Sequence, residues 1–161
     1  MPDNLKRMLQ LVDEFFDIRH DPEQLQVSPA VIQRLHEIHP ATLAEQRNDD
    51  GPICWILVIP TTTIVMNDFL AGKISENQLL ERTKPGDTFE AIYLCSASVL
   101  PEFRHKGIAT KLSCESINSI RSTHPIKALY VWPFSEEGRL LSEKIAQETN
   151  LPLYLRPGHE K

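Results

Sequence analysis

Three basic residues and a glycine stand together where an apolar segment gives way to a helical one. The sequence Arg104-His105-Lys106-Gly107 follows the apolar run Ala91–Ala97 and precedes a segment of helical periodicity. At the start of a helix, backbone N–H groups have no intrahelical acceptor and the helix dipole is positive. Basic side chains at such a junction add to its attraction for an anion such as a phosphate. The spacing therefore predicts an anion-binding site.

Two common phosphate-binding signatures do not describe this junction. A P-loop needs GxxxxGK[ST], which the sequence lacks, and a dinucleotide fingerprint needs GxGxxG, of which only Gly107 is present. The pattern that is present is Arg104-x-x-Gly107-x-Ala109. Because Gly107 has no Cβ and the side chain of Ala109 is small, a diphosphate can approach the backbone amides of residues 105–110. Arg104 or Lys106 can add positive charge, and arginine is the better bidentate partner of a phosphate.

The junction and its flanks resemble the pyrophosphate loop of the GNAT acetyltransferase superfamily. In that family an arginine or glutamine is followed, after two residues, by a glycine, one further residue and then glycine or alanine. Here Val99–Arg104 resembles the family lead-in V-x-P-E-[YF]-R, and Gly107–Leu112 resembles the continuation G-[IV]-[GA]-x-x-L. The resemblance is close over Tyr93–Ser119, extends in outline to Leu155 and is absent from the N-terminal third.

The resemblance implies a fold and an activity. The fold would be α/β, a GNAT-like mixed central sheet flanked by helices, with an enlarged helical N-terminal third. The activity would be transfer of an acetyl group from acetyl-CoA to a primary amine of an unknown acceptor. The alternatives are a non-catalytic acyl-CoA-binding or sensing module with the same fold, and a site for a different nucleotide or phosphate. No acceptor can be carried over, because Thr61–Thr83 indicates helices where a typical member has a strand hairpin.

The resemblance also assigns contacts to acetyl-CoA, the expected co-substrate. The strand edge near Ala97–Val99 would hydrogen-bond the pantetheine arm as an added strand does. The next strand, Ile126–Trp132, would diverge and leave a gap for the thioester. The implied cofactor-binding residues are Ala97, Val99, Arg104, His105, Lys106, Gly107, Ile108, Ala109, Thr110 and Ser135.

The catalytic residues follow less directly from the resemblance. Acetyl transfer to an amine needs a base for the amine, a donor for the thioester oxygen and a proton for the leaving thiolate. The backbone amide that polarises the thioester carbonyl in the family corresponds to that of Val99. The tyrosine that acts as the acid in the family corresponds to Ser142, whose hydroxyl is a far poorer acid than a phenol. Glu90 lies near the family's base but one residue out of register, which would turn it to the other face of the sheet. Ser142 is the candidate at the position of the acid, and water is the alternative acid. Glu90 is the candidate base, and the alternative interpretation is that it is a solvated carboxylate at the end of the strand.

Histidines, tyrosines and cysteines elsewhere have structural interpretations. His36 and His39 lie three apart on a predicted helix and could hold a metal, but no third ligand is indicated. A solvent-facing pair is favoured, and no metal is expected. Tyr93, Tyr130 and Tyr154 are interpreted as packed strand tyrosines. The three cysteines form no CxxC pair and are expected to be buried free thiols in a reducing compartment.

Hydrophobic periodicity and capping signals predict the elements that position these residues. The order of strand and helix in the C-terminal half requires parallel strands with right-handed crossovers. The predicted helices are Pro2–Asp17, Ser28–His39, two within Thr61–Thr83 of which the second opens with a capping box at Ser75, Ile108–Arg121, and one from Ser135 to about Glu148. The predicted strands are Ile53–Pro60, Phe89–Val99, Ile126–Trp132 and Leu151–Leu155.

Length and charge set the remaining expectations. The 161 residues fit a single domain, 1–161, and the net charge of -5 argues against bulk electrostatic binding of nucleic acid. No apolar run reaches the ~20 residues that span a bilayer, and the N-terminus does not resemble a signal peptide. No membrane association is expected, and the cytoplasm is the expected location. One closing strand stands where the family usually has two, so a partner could complete the sheet in a homodimer.

Overall fold

A computed structural model describes residues 3–19 and 28–157. Four helix starts are set by hydroxyl side chains, since Ser28, Thr62, Ser75 and Ser135 each accept a hydrogen bond from the amide three residues on. The helices are α1 (Asp3–Arg19), α2 (Pro29–Ile38), α3 (Thr63–Leu70), α4 (Glu76–Arg82), α5 (Ile108–Arg121) and α6 (Glu136–Thr149). The strands are β1 (Leu43–Asn48), β2 (Gly51–Thr61), β3 (Ala91–Val99), β4 (Ala128–Val131) and β5 (Leu153–Leu155).

The strands form one mixed sheet in the order β1-β2-β3-β4-β5. The β1–β2 and β2–β3 pairs are antiparallel, whereas the β3–β4 and β4–β5 pairs are parallel. Helix α5 connects β3 to β4 and α6 connects β4 to β5, as parallel neighbours require. The prediction of an α/β fold with a mixed sheet flanked by helices is confirmed at this level, including the three parallel strands of the C-terminal half.

An aromatic group fills the core between α3 and the middle of the sheet. The ring centroids of Phe69, Tyr93, Tyr130 and Trp132 lie between 4.8 and 6.0 Å apart in their contacting pairs. Tyr93 and Tyr130 are fully buried, which confirms that they are packed strand tyrosines. Burial of a side chain the size of Phe69 contributes about 1.5–3 kcal/mol, so this group anchors α3 and the following α4 to the sheet. Tyr154 differs, because it lies on β5 with 46% of its surface exposed.

Strand β1 is an element that the sequence did not reveal. The four residues Glu45–Asn48 are exposed, so neither an apolar run nor an alternating pattern marks the strand. It pairs as the outer arm of a hairpin with β2, closed by a turn at Asp49 and Asp50, after which Gly51 begins β2 with a φ of 115°. Across the pair, Trp55 Nε1 donates to Glu45 Oε1 over 2.7 Å. A polar edge strand of this kind resists pairing with other chains.

Other predicted boundaries differ by only a few residues. Helix α5 has the predicted bounds, and the two helices within Thr61–Thr83 are present, the second with the predicted capping box between Ser75 and Gln78. Strand β3 begins two residues later than predicted because the Phe89 amide donates to His124 Nδ1 instead of joining the sheet. The predicted helix start at Pro2 lies outside the described residues. Among the helices described, none is both long and apolar enough to cross a membrane.

Candidate functional site

Strand β3 extends beyond its neighbour β4, and the point where their pairing ends forms a fork in the sheet. Their pairing runs from Ala91 with Ala128 to Leu94 with Val131 and stops there, while β3 continues to Val99. On the other side of β3, the register with β2 slips by one residue between Leu57 and Val58, so Cys95 is an extra residue in β3. Such a bulge bends the strand and increases its twist. Strand β4 ends at Val131, its last paired residue, so β3 has no neighbour on this side from Cys95 onward, and the bulge lies where the pairing stops. The divergence predicted for Ile126–Trp132 stays a prediction.

Beyond the fork, β3 offers an open edge. The Leu100 amide donates to the Ile53 carbonyl over 3.0 Å, which makes this opposed pair a hydrogen-bonded one. Because hydrogen-bonded and non-bonded pairs alternate along antiparallel strands, the backbone groups of Ala97 and Val99 point away from β2. Arg104 confirms this direction, since its Nε donates to the Val99 carbonyl over 3.0 Å. The amides of Ala97 and Val99 and the carbonyl of Ala97 therefore face the gap.

The loop before α5 presents a group of backbone amides. Gly107 is the N-cap, with φ 80° and ψ 7°, and no side chain caps the helix. His105 also has a left-handed φ of 63°, which is uncommon for a residue other than glycine. Within residues 3–19 and 28–157, the amides of residues 105–110 donate to no protein acceptor. They add to the positive end of the dipole of α5 and form a site suited to an anion.

Charges of both signs surround this loop. Arg104, His105 and Lys106 are exposed at its surface. Glu137, in the first turn of α6, places Oε1 3.8 Å from His105 Nε2, so the acidic group lies beside the predicted anion site. The guanidinium of Arg104 is turned toward β3 through its Nε bond to Val99. The positive groups at the loop are its free amides, Arg104 and Lys106, with the carboxylate of Glu137 beside them.

The fork, the open edge and the loop line one cleft of about 710 Å³. Leu11 of α1 and Phe134, after β4, contribute apolar walls. Lys106 is the one predicted cofactor-binding residue that does not line the cleft. The predicted residues that the structure brings together here are Ala97, Val99, Arg104, His105, Gly107, Ile108, Ala109, Thr110, Ser135 and Ser142. A neighbouring hollow of about 460 Å³ shares Gly107, Thr110 and Lys144 with the cleft and adds Lys111.

The two candidate catalytic side chains differ in position. Ser142 lines the cleft and is buried, and its hydroxyl donates to the Gly138 carbonyl one helical turn back, over 2.8 Å. Its proton is therefore held by α6. Glu90 does not line the cleft; its Oε1 accepts from Thr63 over 3.1 Å and its Oε2 lies 3.3 Å from Lys127 Nζ. These contacts lower the pKa of Glu90 and match the alternative interpretation, a solvated strand-end carboxylate.

A buried carboxylate lies close to the cleft and was missed by sequence reasoning. Glu76, the first residue of α4, is 1% exposed, and Tyr93 Oη and Cys95 Sγ both donate to its Oε2, the thiol over 3.9 Å. Burial and the charge of Glu76 raise the pKa of Tyr93 far above its ordinary value, so the phenol stays protonated. The capping box predicted the position of Glu76 in the chain, but no local pattern connects it with Cys95.

The histidines at the end of α2 and the three cysteines were the other candidates. His36 is exposed, whereas His39 turns inward; its Nδ1 accepts from the Ala41 amide over 3.0 Å, and its ring centroid lies 6.0 Å from that of His124. The expected solvent-facing pair is therefore wrong for His39. Among the described residues, no group of three or more potential ligands could hold a metal ion. The cysteines are free thiols as predicted, but Cys95 and Cys114 are only half-buried.

Comparison of the chain with models of known protein families gives no match. A search of curated proteins gives no match either. The interpretation of the cleft therefore depends on its geometry and on the motif at residues 99–112.

Proposed function

We propose that the chain is a GNAT-like enzyme that binds an acyl-CoA in this cleft and transfers an acetyl group from it to a primary amine. The observation that carries the proposal is the presence, in one cleft, of a ring of free amides at residues 105–110 and an open strand edge at Ala97 and Val99. A diphosphate needs converging N–H donors, and an extended arm with amide groups needs a strand edge. Acyl-CoA carries both groups in one molecule, in that order.

The residues present fit such a ligand. A Cβ built on Gly107 meets no atom within 4 Å, so the space in front of this residue is open to a diphosphate. From Val99 to Cys95 the strand covers about 13 Å at roughly 3.3 Å per residue. An arm paired along this edge would bring its thioester to the fork. Lys111 and Lys144, in the hollow beyond the loop, are placed to pair with a further phosphate of the same ligand.

The backbone accounts for part of the chemistry. An N–H that faces the gap can donate to the thioester oxygen as it gains negative charge, and for a thioester at the fork the Ala97 amide is nearer than that of Val99. The apolar walls at Leu11 and Phe134 reduce access of water to the reacting carbonyl. Ser142 does not supply the acid in the arrangement observed, because its proton is bonded to Gly138. Glu90 does not supply the base, because its carboxylate is paired with Lys127 outside the cleft.

A non-catalytic acyl-CoA-binding module is the second candidate. It is favoured by one specific observation: no tyrosine is among the residues that line the cleft in the described part of the chain. The proposed binding groups serve this function equally well, so cofactor binding alone does not separate the two.

The test combines calorimetric titration of the protein with CoA and an assay for free thiol with acetyl-CoA and a panel of primary amines. If the chain is an enzyme, we expect CoA to bind and acetyl-CoA to release free thiol only when an amine is present. Tight binding without thiol release across the panel supports the sensing module. If CoA does not bind while a nucleotide raises the melting temperature, the site belongs to another phosphate ligand.

A further inference from the structure

Cys95 occupies the inner end of the cleft, where β3 leaves β4. It is the extra residue of the bulge, it is half-buried, and it lines the cleft. It directly follows Leu94, the last residue of β3 that pairs with β4. An arm that runs along Val99 and Ala97 toward the fork ends at this thiol.

A buried carboxylate is paired with the thiol. Glu76 Oε2 accepts from Cys95 Sγ over 3.9 Å and from Tyr93 Oη, while Glu76 itself does not line the cleft. Burying an unpaired carboxylate costs several kcal/mol, and here two donors and the amino end of α4 offset that cost. A half-buried cysteine that lines a cleft and whose thiol has a carboxylate within reach has the residue types of a nucleophile and its base.

We propose that Cys95 is the first acceptor of the acyl group, an inference that rests on the proposed function. Cys95 Sγ attacks the thioester carbonyl while its proton moves to Glu76 Oε2. A new Sγ–C bond forms, the bond between the carbonyl carbon and the CoA sulfur breaks, and the proton passes to that sulfur, releasing free CoA. The amine nitrogen then attacks the acyl group on Cys95, the Sγ–C bond breaks, and the proton lost by the amine restores the thiol. Both half-reactions balance without an oxidant or a metal.

The other cysteines provide matched controls. Cys54 is fully buried on β2, and burial raises its pKa to about 11. Cys114 is half-buried on α5 and lines the second hollow, beside the loop proposed to bind the cofactor. Burial and then the charges of Glu148 and Glu115 raise the pKa of Cys114. Cys114 therefore shares partial exposure and nearness to the cofactor with Cys95, but it is not at the fork.

The test follows acetylation of the protein itself. Wild-type protein is mixed with acetyl-CoA without amine, quenched in acid at short times, and mapped by peptide mass spectrometry. We expect one acetyl group on Cys95 and none on Cys114. Cys95→Ser should carry no thioester, and Cys54→Ala, which lies outside both the cleft and the second hollow, should react like wild type. Glu76→Gln should acetylate Cys95 about a hundredfold more slowly, the usual effect of losing a general base.

The outcomes separate this inference from the proposed function. If CoA binds and amine-dependent thiol release in folded Cys95→Ser matches wild type, the acyl-cysteine step is overturned and the transferase function stands. If Cys95 and Cys114 are acetylated equally, or if Glu76→Gln does not change the rate of Cys95 acetylation, acetyl-CoA reacts with any accessible thiol and the inference fails. If CoA does not bind at all, both proposals fail. Circular dichroism of each variant establishes that it is folded.

Discussion

Replacement of Gly107 by glutamate tests the amide loop directly. Gly107 has a φ of 80°, and the space in front of its Cα is open. A residue other than glycine costs roughly 1–2 kcal/mol in this left-handed conformation. At about 2–4 °C per kcal/mol for a domain of this size, the melting temperature should fall by about 2–8 °C. The fold should survive, because no neighbouring atom collides with the new Cβ.

The effect on CoA binding should be much larger than the effect on stability. The new carboxylate would project into the space proposed for the diphosphate. At about 4 Å, like charges repel by about 1 kcal/mol in bulk water and about 4 kcal/mol near a protein surface. Since 1.4 kcal/mol is a factor of ten in affinity, the loss from repulsion alone is between about fivefold and a thousandfold. The bulk of the side chain adds to this, so we expect CoA binding to weaken by at least tenfold.

Gly86→Glu is the matched control for this measurement. Gly86 has a φ of 93°, its Cβ would also meet no atom within 4 Å, and it does not line the cleft. The control introduces the same charge and similar backbone strain, so its melting temperature should fall comparably while CoA binding is unchanged. Calorimetric titration of both variants with CoA gives the comparison. Wild-type affinity in a folded Gly107→Glu protein would refute the diphosphate loop, and equal losses in both variants would assign the effect to general destabilisation.

Three further predictions concern the loop, a histidine and a helix cap. Glu137→Gln removes the carboxylate beside His105 and should strengthen CoA binding severalfold at low salt, an advantage that should shrink at high salt because exposed charges are screened; weaker binding would contradict it. Burial and the charge of His124 lower the pKa of His39 below 6.5, so His39 favours folding above pH 6.5 and that contribution is lost as the pH falls below this value. Melting curves should show this decline in wild type and less of it in His39→Gln, and equal slopes would contradict the assignment. Ser75→Ala removes the hydroxyl that accepts from Gln78 and should cost about 1 kcal/mol in denaturant unfolding, whereas Ser28→Ala provides the comparison at another cap.

Local signals were sufficient for the helices and for the loop of free amides before α5. The bounds of α5 and the capping box at Ser75 could be predicted because each depends on residues within one turn of the helix. Strand β1 could not be predicted, since its exposed polar residues carry no period and only the hairpin with β2 makes them a strand. The inward turn of His39 depends on His124, far along the chain, and no local pattern shows it.

The loop proposed to bind the cofactor could be predicted from local sequence, whereas the contact proposed for acyl transfer, between Cys95 and Glu76, could not. The loop, the open edge and Cys95 all belong to the continuous segment 95–110, where a motif can encode them. Glu76 comes from α4, a helix outside that segment, and reaches Cys95 only because Phe69 and its aromatic neighbours fix α3 and α4 against the sheet. The bulge then places the thiol of Cys95 both at the cleft and beside this carboxylate. A change that removes the bulge without altering the loop should therefore leave CoA binding intact while it separates Cys95 from Glu76, so binding and acyl transfer are expected to be independently sensitive to mutation.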